Sequence, residues 1–232
     1  MGRMSEEYLE ALANAGNRGC RGTYPGATVQ YVPNDVAATI MNAFNAQAGE
    51  APDTFLVCAE PGMDADETLD YIASVTRSSS VRVCSLDLRG CSDGDAVHKF
   101  VNFARVAVKG SGTKRVMAVC KGLPPADESE LQRELSAIRR MREAGCFIVL
   151  GMRPEALQLS EELPDAPCYG TRDLMMGLPK RLRRTSGLAR DMMAATHGIP
   201  LLVRTVSKIK SRNLGRVMSD PGYCENLGLI VS

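Results

Sequence analysis

Thr54-Phe55-Leu56-Val57-Cys58-Ala59-Glu60-Pro61-Gly62-Met63-Asp64-Ala65-Asp66-Glu67-Thr68 is the stretch on which the fold turns. Thr54–Ala59 is a short apolar run of strand type. Asp66–Thr76 has helical spacing, with Leu69, Ile72 and Ala73 on one face. The same alternation continues downstream. Val81–Leu88 alternates like a strand, Asp95–Val108 repeats Val97, Val101, Ala104 and Val108 at helical spacing, and Arg115–Cys120 is again an apolar strand. Asp127–Ala144 reads as a helix with Asp127 as cap, Glu130 three residues later, Leu131, Leu135, Ile138 and Met141 inward, and Gly145 as terminator. Cys146–Met152 is a further apolar strand, and a short fifth strand is expected near Cys168–Thr171. Strands that read as continuous apolar runs and alternate with helices predict a three-layer α/β fold: a parallel sheet of about five strands with helices on both faces.

On either side the pattern changes. Before the core, Glu6–Ala15 is a short helical stretch carrying Tyr8, Leu9 and Leu12, a glycine-rich segment follows, and Asn34 or Asp35 caps a helix running through Phe44. From Leu178 onward the periodicity is helical only, over Lys180–His197 and, after Pro200, over Leu201–Ile209. This predicts an N-terminal helical segment (1–50), an α/β core (51–176) and a small helical lid (177–232). The net charge of +1 hides an asymmetry: residues 1–176 carry −6, residues 177–216 carry +9 and the last 16 carry −2.

Composition excludes several classes. With 44% hydrophobic and 24% charged residues over 232 positions, the chain is an ordinary globular one. No apolar run approaches the length of a membrane span, and Met1–Glu10 lacks the apolar stretch of a signal peptide. Aromatics are 5% and Trp is absent, so stacking on several bases is disfavoured. None of the eight cysteines forms a CxxC pair; Cys58, Cys84, Cys120 and Cys146 read as core filling. That usage fits a reduced, cytoplasmic location. The two histidines, His98 and His197, are far apart, so neither a zinc site nor a histidine-based nucleophile pair is expected.

In an open α/β sheet, ligands sit beyond the carboxyl ends of the strands. A phosphate-binding turn there needs glycines, a lysine for the terminal phosphates and a Ser/Thr for the metal. This turn keeps only Gly62, and its Lys-Ser/Thr dipeptide reads Ala65-Asp66. Asp64, Asp66, Glu67 and Asp70 cluster at the helix start, and Asp64 with Glu67 has capping-box spacing. A triphosphate about 5 Å from one such carboxylate meets roughly 3 kcal/mol of repulsion per charge pair at an effective dielectric of about 20. At the third core strand, Lys121 follows Cys120 where an ATPase needs an acid; Asp87, ending the second, is the nearest alternative acid. Gly110-Ser111-Gly112-Thr113-Lys114 looks like half a phosphate loop, but a helix precedes it and a strand follows, so it reads as a helix-to-strand turn. Met175-Met176 and Met192-Met193 read as helix core.

Taken in order, these segments resemble the AAA+-like signal-transduction ATPases of the STAND class, as found at the N-terminus of LuxR-type bacterial regulators. The resemblance covers roughly residues 30–210. It runs through Val32-Pro33-Asn34-Asp35 (the family commonly has Arg at Asn34), Ala59–Thr68, Val116–Lys121, the apolar strand ending in Arg153-Pro154-Glu155, and Gly198-Ile199-Pro200, which is similar to the family's G-x-P lid motif. It implies a P-loop NTPase-like fold and a nucleotide site formed by Gly62, Ala65, Asp66, Lys121, Arg153, Gly198 and Pro200. The lysine, the Ser/Thr and the acid are missing at the matching positions, so it also implies that hydrolysis is lost. The domains that normally follow the lid are absent after Ser232, as expected of a fragment or of a shortened relative.

Three functions stay open at this point. The first is a catalytically inactive ATPase-like module, without cofactor, that acts in signalling or transcription by binding a protein partner or itself. The second is a switch that binds ATP or ADP through an atypical site, with phosphate contacts from Arg153 and the lid. The third is a DNA-binding regulator that uses Lys180, Arg181, Arg183 and Arg184.

Overall fold

A computed structural model describes residues 34–46, 51–60, 63–111, 114–176 and 186–207, together with the short strands at 23–24 and 27–28. The expected helix at Glu6–Ala15 and the basic residues Lys180, Arg181, Arg183 and Arg184 lie outside the described residues, as does Gly62. The chain divides into two compact units. One comprises 33–60 and 65–174; the other comprises 1–32, 61–64 and 175–232.

The larger unit is the expected α/β fold. Its strands are β3 (Thr54–Cys58), β4 (Val81–Asp87), β5 (Arg115–Leu123), β6 (Phe147–Met152) and β7 (Cys168–Tyr169). They form one sheet in the order β4-β5-β6-β3-β7, and every pairing is parallel. The helices are α1 (Asp35–Asn45), α2 (Ala65–Thr76), α3 (Asp93–Gly110), α4 (Glu128–Glu143) and α5 (Gln158–Glu162).

Side-chain alternation along the strands divides the core between the two faces. Leu56, Ala118, Cys120, Ile148 and Leu150 join one cluster with Ala96, Phe100 and Ala104 of α3 and with Ile138 and Met141 of α4. The intervening residues turn the other way. Phe147 meets Phe44 of α1 edge-on at 5.2 Å and Phe55 at 5.4 Å. Gly151 lets Leu69 of α2 approach so closely that an added Cβ would lie 2.5 Å from its Cδ1. The interior strands β3, β5 and β6 read as apolar runs because both faces are covered. β4 alternates because it is an edge strand with an uneven burial pattern.

The helix ends follow the expected caps. The Asn34 side chain accepts a hydrogen bond from the Ala37 N–H, and its amide donates to Thr68 on α2 at 2.9 Å. Asp127 and Glu130 form a complete capping box on α4. One detail differs from expectation. Leu131 and Leu135 are only half-buried, while Glu134 and Ala137 of the same helix are buried. The 110–114 segment does link a helix to a strand, since α3 ends at Gly110 and β5 begins at Arg115.

The smaller unit contains an antiparallel pair not expected from sequence, β1 (Thr23–Tyr24) and β2 (Ala27–Thr28), at the end of the glycine-rich segment and just beyond it. It also contains α6 (Ser186–Thr196) and α7 (Pro200–Ser207), on either side of Gly198. Met192 is buried in α6, as expected. Met175 and Met176 are not helical, and Met175 is half-exposed: they lie in an irregular segment where the Met176 N–H donates to the Gly198 carbonyl at 2.8 Å. Among the described residues, no helix is long and apolar enough to cross a membrane.

Candidate functional site

Because all strands of the larger unit are parallel, their carboxyl ends open on one edge of the sheet. Charged side chains gather there. β4 ends at Asp87, which is the ladder partner of Lys121 on β5. Beyond Cys120 the β5–β6 register shifts before resuming at Leu123. Gly122 within this irregularity has φ +70°, a left-handed backbone that suits glycine. The Lys121 carbonyl accepts the Leu88 N–H at 2.8 Å, so the bulge also fixes the start of the β4–α3 loop.

That loop delivers Arg89. Its guanidinium donates to Asp87 through Nε at 2.9 Å and Nη2 at 2.5 Å, and to Asp66 on α2 through Nη1 at 2.7 Å. Lys121 Nζ donates to Asp70 at 2.7 Å and lies 3.7 Å from Asp87. Asp66, Asp70 and Asp87 are thus tied together by Arg89 and Lys121, with a formal balance of −1. Hydrogen bonds from the Arg89 side chain, opposed by partial burial, hold Asp87 down at about 2. The Lys121 side chain is 12% exposed, and its ammonium is already committed to carboxylates. A phosphate or a cation arriving at this edge would have to break these pairs.

Arg153 lies at the end of β6, at the start of the Pro154–Ala156 turn. Its side chain donates to Asp93 at 3.3 Å and to the Cys91 carbonyl at 3.2 Å, at the beginning of α3. Cys58 nearby is pushed up to about 11, by burial first and by Cys168 and Glu155 next. A neutral thiol of that kind is a poor nucleophile. Among the described residues, no three of His, Cys, Asp and Glu gather in a cluster able to hold a metal ion.

The remaining residues of the expected nucleotide site fall in two places. Ala65 and Asp66 open α2 of the larger unit. Gly198, with φ +74°, and Pro200, the first residue of α7, belong to the smaller unit. Asp64 belongs to the smaller unit too, where both oxygens of its buried carboxylate receive the guanidinium of Arg204 on α7; one of these bonds measures 2.6 Å. Asp64 has φ +59°, whereas the capping-box reading of Asp64 and Glu67 needed an extended backbone. Its carboxylate is engaged by Arg204.

Sequence reasoning singled out Asp66, Lys121 and Arg153 but missed Arg89 and Arg204. Arg89 lies two residues beyond Asp87, a spacing common on loops and uninformative alone. Arg204 was counted only as part of a basic segment.

No family model matches the chain, and no curated protein matches it. A solved structure that it resembles is that of Drosophila ORC bound to DNA, at 9% identity and a TM-score of 0.39, with 83% of this chain and 53% of that chain covered. The aligned region thus spans about half of that chain's length, and a likeness at this level says nothing of what the present chain binds.

Proposed function

We propose that this chain is a catalytically inactive ATPase-like module, of the STAND or AAA+ kind, that serves signalling or transcriptional regulation by binding other proteins. One observation carries the reading: the two positions that would hold magnesium and polarise water carry Asp66 and Lys121, and both are engaged in the ion-pair network with Arg89, Asp70 and Asp87. A magnesium-bound phosphate needs oxygen ligands from the protein and a cation aimed at the terminal phosphates. Here the strand-end position presents an ammonium group to the metal, and Ala65 presents a methyl group to the phosphates. An ammonium group and a methyl group at these positions do not suit a magnesium-bound phosphate.

Binding of ATP and ADP with magnesium, followed by calorimetry and thermal shift on one sample, tests this. The expected result is no binding at millimolar nucleotide. A ligand at 100 times its dissociation constant stabilises by about 2.7 kcal/mol, which a melting curve detects readily. Clear binding would overturn the proposal in favour of a nucleotide switch, and its loss in Arg153→Ala would locate the phosphate contact.

A further inference from the structure

On the sheet face covered by α3 and α4, these two helices leave a groove of about 870 Å³ between them. Its floor is apolar, with Val101, Ala104 and Val108 from α3, Ala137 from α4 and Ala144 just past the end of α4. Its rims are basic. Arg105 and Lys109 are four residues apart on α3, and Arg133 and Arg140 are seven apart on α4, so each pair lies along one side of its helix. All four side chains are exposed, and none pairs within 4 Å with a carboxylate of the described residues. Glu143 is the one acid on the lining, which leaves the groove at +3.

We infer that this groove is a docking site for an acidic amphipathic helix of a partner protein. The two rows of cations select Asp and Glu on the flanks of the incoming helix. The alanine-rich floor lets its apolar stripe approach closely. The distance from Arg133 to Arg140 corresponds to about 10 Å of helix axis, or two turns, which matches an apolar pair or triplet at helical spacing. A nucleic acid fits less well. Its phosphates would find the cations, but the lining contains no aromatic side chain for a base, and the apolar floor would meet sugar and phosphate.

The inference rests on the reading of the chain as a protein-contact module, and its test is independent of the nucleotide titration. Fluorescence anisotropy of the full chain at physiological salt would use a labelled peptide helix with leucines at every third and fourth position and glutamates on the flanks. Two peptides serve as controls, one with the leucines replaced by serines and one with the glutamates replaced by lysines. A labelled DNA duplex is titrated alongside. The acidic leucine peptide should bind at least about tenfold more tightly than either control and than the duplex, and the double variant Arg105→Glu/Arg140→Glu should lose at least about tenfold in affinity without a change in melting temperature. Equal binding of the serine peptide, tighter binding of DNA, or an unaffected charge-reversal variant would overturn the groove assignment. Binding of ATP would refute the inactive-module reading and leave the peptide result standing.

Discussion

Glu134 is a residue whose chemistry departs far from its type. It is 1% exposed on α4, and among the described residues its Oε1 has no hydrogen-bond partner. Burial, and secondarily the charge of Glu130, pushes the carboxyl group up to about 8, so at neutral pH it is largely protonated. In the unfolded chain it ionises near the usual carboxylate value. Between that value and about 8 the folded state therefore holds a proton that the unfolded state has lost. Stability falls as pH rises through this window and levels off above it. Glu134→Gln keeps the shape and removes the ionisation, so its urea midpoint should decline less than the wild type's between pH 5 and pH 8. Parallel declines in the two proteins would contradict this. The position was partly legible. Residues 131, 134, 138 and 141 fall on one helical stripe, which places Glu134 inward, but the residue type argued for the surface. Cys120, also buried, has its thiol pushed up by burial and then by Glu134, consistent with a core-filling cysteine.

At the scale of elements, the bulge of β5 organises the charged edge. A Cβ on Gly122 would lie 2.6 Å from Arg89 Cγ and 3.1 Å from the Arg89 backbone nitrogen, on a backbone with φ +70°. Gly122→Ala should therefore cost about 1–3 kcal/mol, since both the backbone strain and the contact with main chain resist relaxation. Chemical denaturation reads this directly, and an unchanged midpoint would show that the loop gives way freely. The elements themselves were legible wherever the signal is local. The Asn34 cap, the Asp127–Glu130 box and the alternating edge strand β4 each depend on neighbours in sequence. The bulge was not legible. A glycine after Lys121 reads as a loop residue until the pairing with β6 shows the strand resuming at Leu123.

At the scale of the molecule, one contact holds together distant parts of the smaller unit. Asp64 and Arg204 are 140 residues apart in the chain, and their side chains are 4% and 13% exposed. Removing one member of a buried pair strands the other's charge. Arg204→Ala should destabilise by about 3–5 kcal/mol. Arg153→Ala breaks a half-exposed pair with Asp93 and should cost about 0–1 kcal/mol. Thermal melting followed by circular dichroism compares the two, and equal losses would mean that the Asp64 charge is relieved in another way.

The α/β class, the five strands of the parallel sheet and the capped helix starts could be read from the chain alone, because apolar periodicity and capping act over a few residues. The fate of the charged residues at the sheet edge could not. Lys121 meets Asp70 across 51 positions and Arg89 meets Asp66 across 23, and both meetings depend on the order β4-β5-β6-β3-β7. Periodicity specifies which face of a strand is buried and carries no information about which strand lies beside it. Only the assembled sheet joined a cluster of acids to Lys121 and to the unremarked Arg89 in a network of ion pairs.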